Sequence, residues 1–144
     1  KSQFMTDLAM MLGGYIAEKS VFGDVSTGAS SDLQSASSLT RKLITKYGMS
    51  EKLGPITFGK TEEMVFLGRE IATEKNYSED VAKQIDEEVK NFIKKAYEAA
   101  EKIINSRRKI LDAIAKNLIE KETIEREEFD NLIKSFKLKL VEIK

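Results

Sequence analysis

The run "LGGYIAEKSVFGDVSTGASSDLQSA", Leu12 to Ala36, changes character twice. Up to Phe22 the apolar residues keep helical spacing, with Met5, Leu8, Leu12, Tyr15 and Ile16 on one face. Phe22 to Ser31 is then a small-residue stretch that turns the chain. Asp32 follows in the first turn of a second helix, whose apolar face carries Leu33, Ala36, Thr40, Leu43, Ile44 and Tyr47. Helix, turn and helix are thus predicted in direct succession. Gly13 and Gly14 fall in mid-helix, where each costs roughly 1 kcal/mol against alanine. Such glycines are expected where another backbone or side chain packs closely.

The same periodicity continues on the far side of a long gap. Val81, Ile85, Val89, Phe92, Ala96, Ala99 and Ile103 mark a third, longer helix. Ser78 is suited to cap its start, and Glu79 and Asp80 suit the positive end of the helix dipole. Asp86/Lys90 and Glu98/Lys102 are expected to pair at i,i+4 along a solvated face. Two shorter helices follow, around Ile110, Leu111, Ile114 and Leu118, and around Phe129, Leu132 and Ile133. Between Gly48 and Asn76 the helical signal lapses, and Met64 to Leu67 is its one compact apolar run. A long ordered loop with one short extended segment is expected there, between the second and third helices, and loops of this length are often functional. The predicted class is mainly α, bundle-like, over residues 1–133. The remainder, 134–144, ends in "FKLKLVEIK", which alternates like a strand without a partner and is expected to be a frayed end or an edge.

Composition removes several function classes. The 144 residues suffice for one domain with a core. Basic and acidic residues balance at 24 each, so no field attracts nucleic acid or an anionic membrane. Cysteine and histidine are both absent, which removes thiolate ligands, imidazole ligands and the usual general base. The longest mostly apolar stretch, Leu8 to Ala17, is about half a bilayer span. No secretory signal is visible, and a soluble piece is expected.

One motif needs weighing. "GPITFGKT", Gly54 to Thr61, matches the G-x-x-x-x-G-K-[ST] phosphate loop letter for letter. That loop requires a buried strand before it and a helix directly after it. Here "MSEKL" precedes, while Glu62 and Glu63 follow beside the would-be phosphates. No parallel α/β pattern houses it. The match is taken as coincidental, with no nucleotide site expected.

Among candidate site residues, Asp32 alone reads either as a partner of the helix dipole or as a functional carboxylate. Glu18, just before the turn, suits a hydrogen bond that orients a ligand, or a salt bridge. Thr27 and Gly28 suit a site wall or simply a tight turn.

The residues Leu12-Gly13-Gly14, Ala17-Glu18, Val21 to Ser30 and Asp32 closely resemble the membrane-anchored AAA+ zinc metalloproteases, the FtsH family. The likeness continues through Tyr47 to Ser50, Leu53 to Pro55, Val65 to Arg69, Asn76 to Ser78, Ile85 to Val89 and Leu118 to Ile124. It implies part of a mainly α-helical peptidase domain that closes a six-fold ring of identical subunits and degrades protein substrates. It implies zinc held by two histidines of an H-E-x-x-H helix and by a later aspartate, which Asp32 matches. Glu18, Thr27 and Gly28 then stand beside that metal. The H-E-x-x-H helix would lie upstream of Lys1, so no catalytic residue is expected in this chain, and it should be inactive alone. ATP and magnesium would enter only through an ATPase domain, and the membrane only through N-terminal helices. The parent would sit in a bacterial membrane with its peptidase domain on the cytoplasmic side, or in an organelle. Tyr15 replaces the family's usual arginine, and Ser31 its asparagine. The competing class is a non-catalytic helical module for ring assembly or partner binding, supported by the amphipathic stretch from Ser78 to Ile104.

Overall fold

Residues 2–59 and 76–136 are described by the structure, a computed structural model. Their elements are α1 (Ser2–Phe22), a 3-10 turn (Thr27–Ala29), α2 (Ser30–Thr45), α3 (Glu79–Ser106), α4 (Arg108–Lys121) and α5 (Arg126–Ser135). No strand occurs among the described residues. The mainly α expectation holds, and no helix among the described residues is long and apolar enough to cross a membrane.

The predicted stripes form the core. α1, α2 and α3 each pack against the other two. Leu8, Leu12 and Ile16 of α1 meet Leu43 and Ile44 of α2 and Ile85 of α3 in one buried cluster. Each such side chain contributes roughly 1.5–3 kcal/mol relative to exposure. Thr40 is fully buried among them, and its hydroxyl donates to the Ala36 carbonyl at 2.8 Å. The polar atom is therefore satisfied inside its own helix.

Helix ends follow the expected chemistry in part. The Ser78 hydroxyl accepts from the Val81 amide at 3.3 Å, with Glu79 and Asp80 in the first turn of α3. α2, however, ends at Thr45, so Tyr47 leaves the helical stripe and is 53% exposed. The expected i,i+4 pairs are replaced by nearer partners. Asp86 accepts from Arg41 of α2 at 2.9 Å, and Glu98 faces Lys94 at 3.8 Å. On α3 the buried line is Ile85, Glu88, Phe92, Ala96 and Ala100; Val89 packs against the core as expected but is only partly buried, and Glu88 joins the buried line unforeseen.

α4 and α5 form an arm. α4 packs only on α3 and α5 among the described elements, and no α5 residue is buried. One side chain ties it to α1, since Arg108 donates to the Ser20 carbonyl at 3.1 Å. α5 continues to Ser135, two residues beyond the expected boundary, and residues 137–144 lie outside the described residues. So do Met64 to Leu67, where a short extended segment was expected.

Candidate metal centre

The turn between α1 and α2 is held from below by one glutamate. Gly23 at φ 72 takes the left-handed conformation that ends α1, and its amide donates to the Lys19 carbonyl at 3.0 Å. The chain then doubles back over the last turns of α1. There both carboxylate oxygens of Glu18 are used. Oε2 accepts from the Ser26 amide at 2.9 Å, and Oε1 from the Ser26 hydroxyl at 2.8 Å. That hydroxyl oxygen in turn accepts from the Gly28 amide at 3.1 Å. A Cβ on Gly28 would stand 3.1 Å from the Ser26 Oγ, so a side chain there would push the hydroxyl of this relay by a few tenths of an ångström. The Ser26 amide, then its hydroxyl, hold the Glu18 carboxyl below its ordinary value.

The clasp sets where α2 starts. Thr27 opens the 3-10 turn, and its carbonyl accepts from the Ser30 amide. Asp32 then lies in the first turn of α2 with its side chain exposed. Among the described residues no hydrogen bond or ion pair engages its carboxylate. Glu18, Thr27 and Gly28 are thus brought together, and they reach Asp32 through the backbone of the turn. Glu18 makes no salt bridge among the described residues and works through Ser26, a role that its position before the turn hinted at without specifying.

The turn that precedes Asp32 and the outer side of α1 are bare. Phe22 is 77% exposed and Val25 38%, and together with Glu18, Asp24 and Ser26 they line a shallow hollow of about 320 Å³. The outward face of α1 carries Met10, 71% exposed, and Gly14, Ala17 and Val21 at helical spacing. Nothing lies within 4 Å of a Cβ placed on Gly13 or Gly14. The close packing expected at these glycines is therefore not made by the described residues. α1 is apolar on both faces, a pattern of helices covered on both sides.

As a zinc site the donor set is partial. Among the described residues no three metal-binding side chains gather. The free carboxylate of Asp32 suits one ligand position, but a catalytic zinc takes three protein ligands, and this sequence has neither histidine nor cysteine.

The phosphate-loop letters meet other partners. A turn, not a strand, precedes Gly54. The amides of Gly54, Ile56, Phe58 and Gly59 donate to Ser50, Gly54, Thr45 and Asn76, which turns them into the protein. Lys60 and Thr61 lie outside the described residues.

The chain is similar to known proteins over most of its length. The model of peptidase family M41 matches residues 1–132. The chain is 49% identical to the ATP-dependent zinc metalloprotease FtsH of Chloroflexus aggregans, over 94% of this chain and 21% of that protein. It is 50% identical to the FtsH of Caldicellulosiruptor bescii, over 92% and 22%. For the FtsH of Thermotoga maritima the identity is 46%, over 99% and 23%. The chain thus spans about a fifth of the length of these relatives. With a match running from the start of α1 to within α5, the chain belongs to peptidase family M41.

Proposed function

We propose that this chain supplies Asp32 as the aspartate ligand of a zinc endopeptidase centre whose imidazoles and general base come from a preceding segment of a longer protein. The observation that carries this reading is the exposed, unengaged Asp32 carboxylate, held by the Glu18–Ser26–Gly28 clasp at the head of α2. Zinc in such a centre supplies Lewis acidity for peptide hydrolysis. The residues of this chain do the positioning. Glu18 and Ser26 fix the turn, Gly28 allows its close approach, and Thr27 and Gly28 form the wall beside Asp32. Lacking imidazole and thiolate, the chain alone binds no zinc tightly and cleaves no peptide.

The bare outer face of α1, with Met10, Gly13, Gly14 and Ala17, supports the docking of that preceding segment. By kinship with ATP-dependent zinc metalloproteases, the longer protein acts on protein substrates, assembles from identical subunits and is anchored in a membrane. ATP and magnesium act through an ATPase domain elsewhere in it. A second reading, an assembly module without catalysis, draws on the α4–α5 arm, where Ile119 is 82% exposed, Leu118 42% and Phe129 40%. A protein carrying this segment with its upstream region separates the two. Asp32→Ala should abolish zinc-dependent proteolysis while circular dichroism stays nearly unchanged. Retained proteolysis would move the ligand elsewhere, with Glu18 the first candidate.

A further inference from the structure

A helix leaves the carbonyls of its last turn without partners inside the helix, and α1 settles two of them differently. The Lys19 carbonyl accepts from the Gly23 amide of the following turn at 3.0 Å. The Ser20 carbonyl accepts instead from a distant side chain, the guanidinium of Arg108, at 3.1 Å. Arg108 is the first residue of α4, so the root of the arm caps the end of α1. A cation in that place also meets the negative end of the helix dipole. The guanidinium is braced from behind, its Nε donating to Asp112 one turn along α4 at 2.8 Å.

Neighbouring contacts converge on the same turn of helix. The Ser20 hydroxyl lies 3.4 Å from Nη1 of Arg108 and donates to Oδ1 of Asn105 in α3 at 3.2 Å. Lys19 donates to the Tyr97 hydroxyl at 3.3 Å, and that hydroxyl donates to Glu101 at 3.2 Å. Glu18 holds Ser26 through both carboxylate oxygens. Three consecutive residues thus bind the end of α1 to α3, to α4 and to the chain reversal ahead of Asp32. The ties to α3 run between side chains, which can rotate away while the backbone stays. The Arg108 bond grips the backbone of α1 itself.

We propose that Arg108 is a positioning residue for the metal ligand, fixing the end of α1 and through it the turn that carries Asp32. The route is continuous. It runs from Arg108 to the Ser20 carbonyl, back along α1 to Glu18, through Ser26 to the Gly28 amide, and on to the head of α2. Arg108 acts through Glu18 and Ser26 and contributes no donor to the metal. The proposal rests on the reading of Asp32 as a zinc ligand, but the state of the turn is measurable without zinc.

Amide hydrogen exchange of the isotope-labelled chain tests the strut first. Arg108→Ala changes a partly exposed side chain, so the fold should persist, with the amides of Ile85 and Phe92 in α3 unchanged. Exchange at Gly23, Ser26 and Gly28 should quicken about two- to fivefold, the scale of one cation at an exposed helix C-terminus. Arg108→Lys keeps a cationic donor for the Ser20 carbonyl without the fork that also reaches Asp112, and it should restore part of the protection. Lys121→Ala breaks the Lys121–Glu128 pair between α4 and α5 and should leave all three amides alone. In a longer protein carrying the upstream region, Arg108→Ala should weaken zinc affinity by up to the same factor. Arg108→Lys should recover part of that loss there, and Lys121→Ala should show none. Unchanged exchange at Ser26 and Gly28 in Arg108→Ala, uniform quickening along the chain, or an equal effect of Lys121→Ala would each overturn the role of Arg108. So would full zinc affinity in Arg108→Ala beside an Asp32→Ala variant that has lost it. Zinc affinity undiminished in Asp32→Ala would instead sink the metal reading, and the exchange data would still decide whether Arg108 holds the turn.

Discussion

The two turns that flank α2 use the same device in opposite settings. Before α2, Glu18 of α1 accepts from Ser26, whose hydroxyl oxygen accepts from the Gly28 amide at 3.1 Å. After α2, Glu88 of α3 accepts from Ser50, whose hydroxyl oxygen accepts from the Leu53 amide at 3.1 Å. In each case a helical carboxylate holds a serine, and the serine holds a backbone amide of its own turn. The first clasp is open to water, whereas in the second Ser50 and Glu88 are 3% and 8% exposed. Burial decides what each does. A buried carboxylate must keep its donors, so the Ser50 clasp bears on whether the chain folds. An exposed one exchanges its donors with water at little cost, so the Glu18 clasp bears mainly on where Asp32 is held.

The largest effect should come from the buried clasp. Ser50→Ala strips a donor from Glu88 and orphans the Leu53 amide, and it should destabilise the chain by about 1–3 kcal/mol in urea unfolding. Ser26→Ala removes the cap of the 3-10 turn and should cost about 1 kcal/mol or less. Its clearer mark should be faster amide exchange at Gly28 with α3 unaffected. An equal loss of stability for both variants would erase the distinction between the two turns.

Acid should separate them further. The folded carboxyl of Glu18 lies below its ordinary value of 4.5 because the Ser26 amide and hydroxyl bind its charged form. The clasp is therefore complete above that value and is lost as pH falls through the depressed folded pKa. Lowering the pH from neutral should leave the Ser26 and Gly28 amide shifts flat until below about 4.5, then move them while the helices persist. A transition near pH 6 would assign the turn to another group.

Much of this molecule was legible in its sequence. The stripes through Leu8, Leu12 and Ile16, through Leu43 and Ile44, and from Ile85 to Ala96 follow from spacing alone, because burying one face of a helix leaves a period. What escaped depends on contacts between distant residues. Glu88 sits on the same stripe as Ile85 and Phe92, three and four residues away, yet among the acids of Asp86-Glu87-Glu88 nothing marks it as the buried one except that register. Asp86 prefers Arg41 over Lys90 because α2 lies alongside, a fact no local pattern contains. The Glu18–Ser26 clasp joins residues eight apart across a reversal of the chain. Gly13 and Gly14 suggested close packing, and the described residues leave them open.

Zinc titration calorimetry tests the role of Asp32 most directly, performed on this chain and on a longer protein that carries it with its upstream region. The chain alone should show no tight binding, the longer protein one tightly bound zinc per subunit, and its Asp32→Ala variant a large loss of affinity. Tight one-to-one binding by the chain alone, or undiminished affinity in the variant, would contradict the assignment of Asp32 as a ligand supplied to an otherwise incomplete centre.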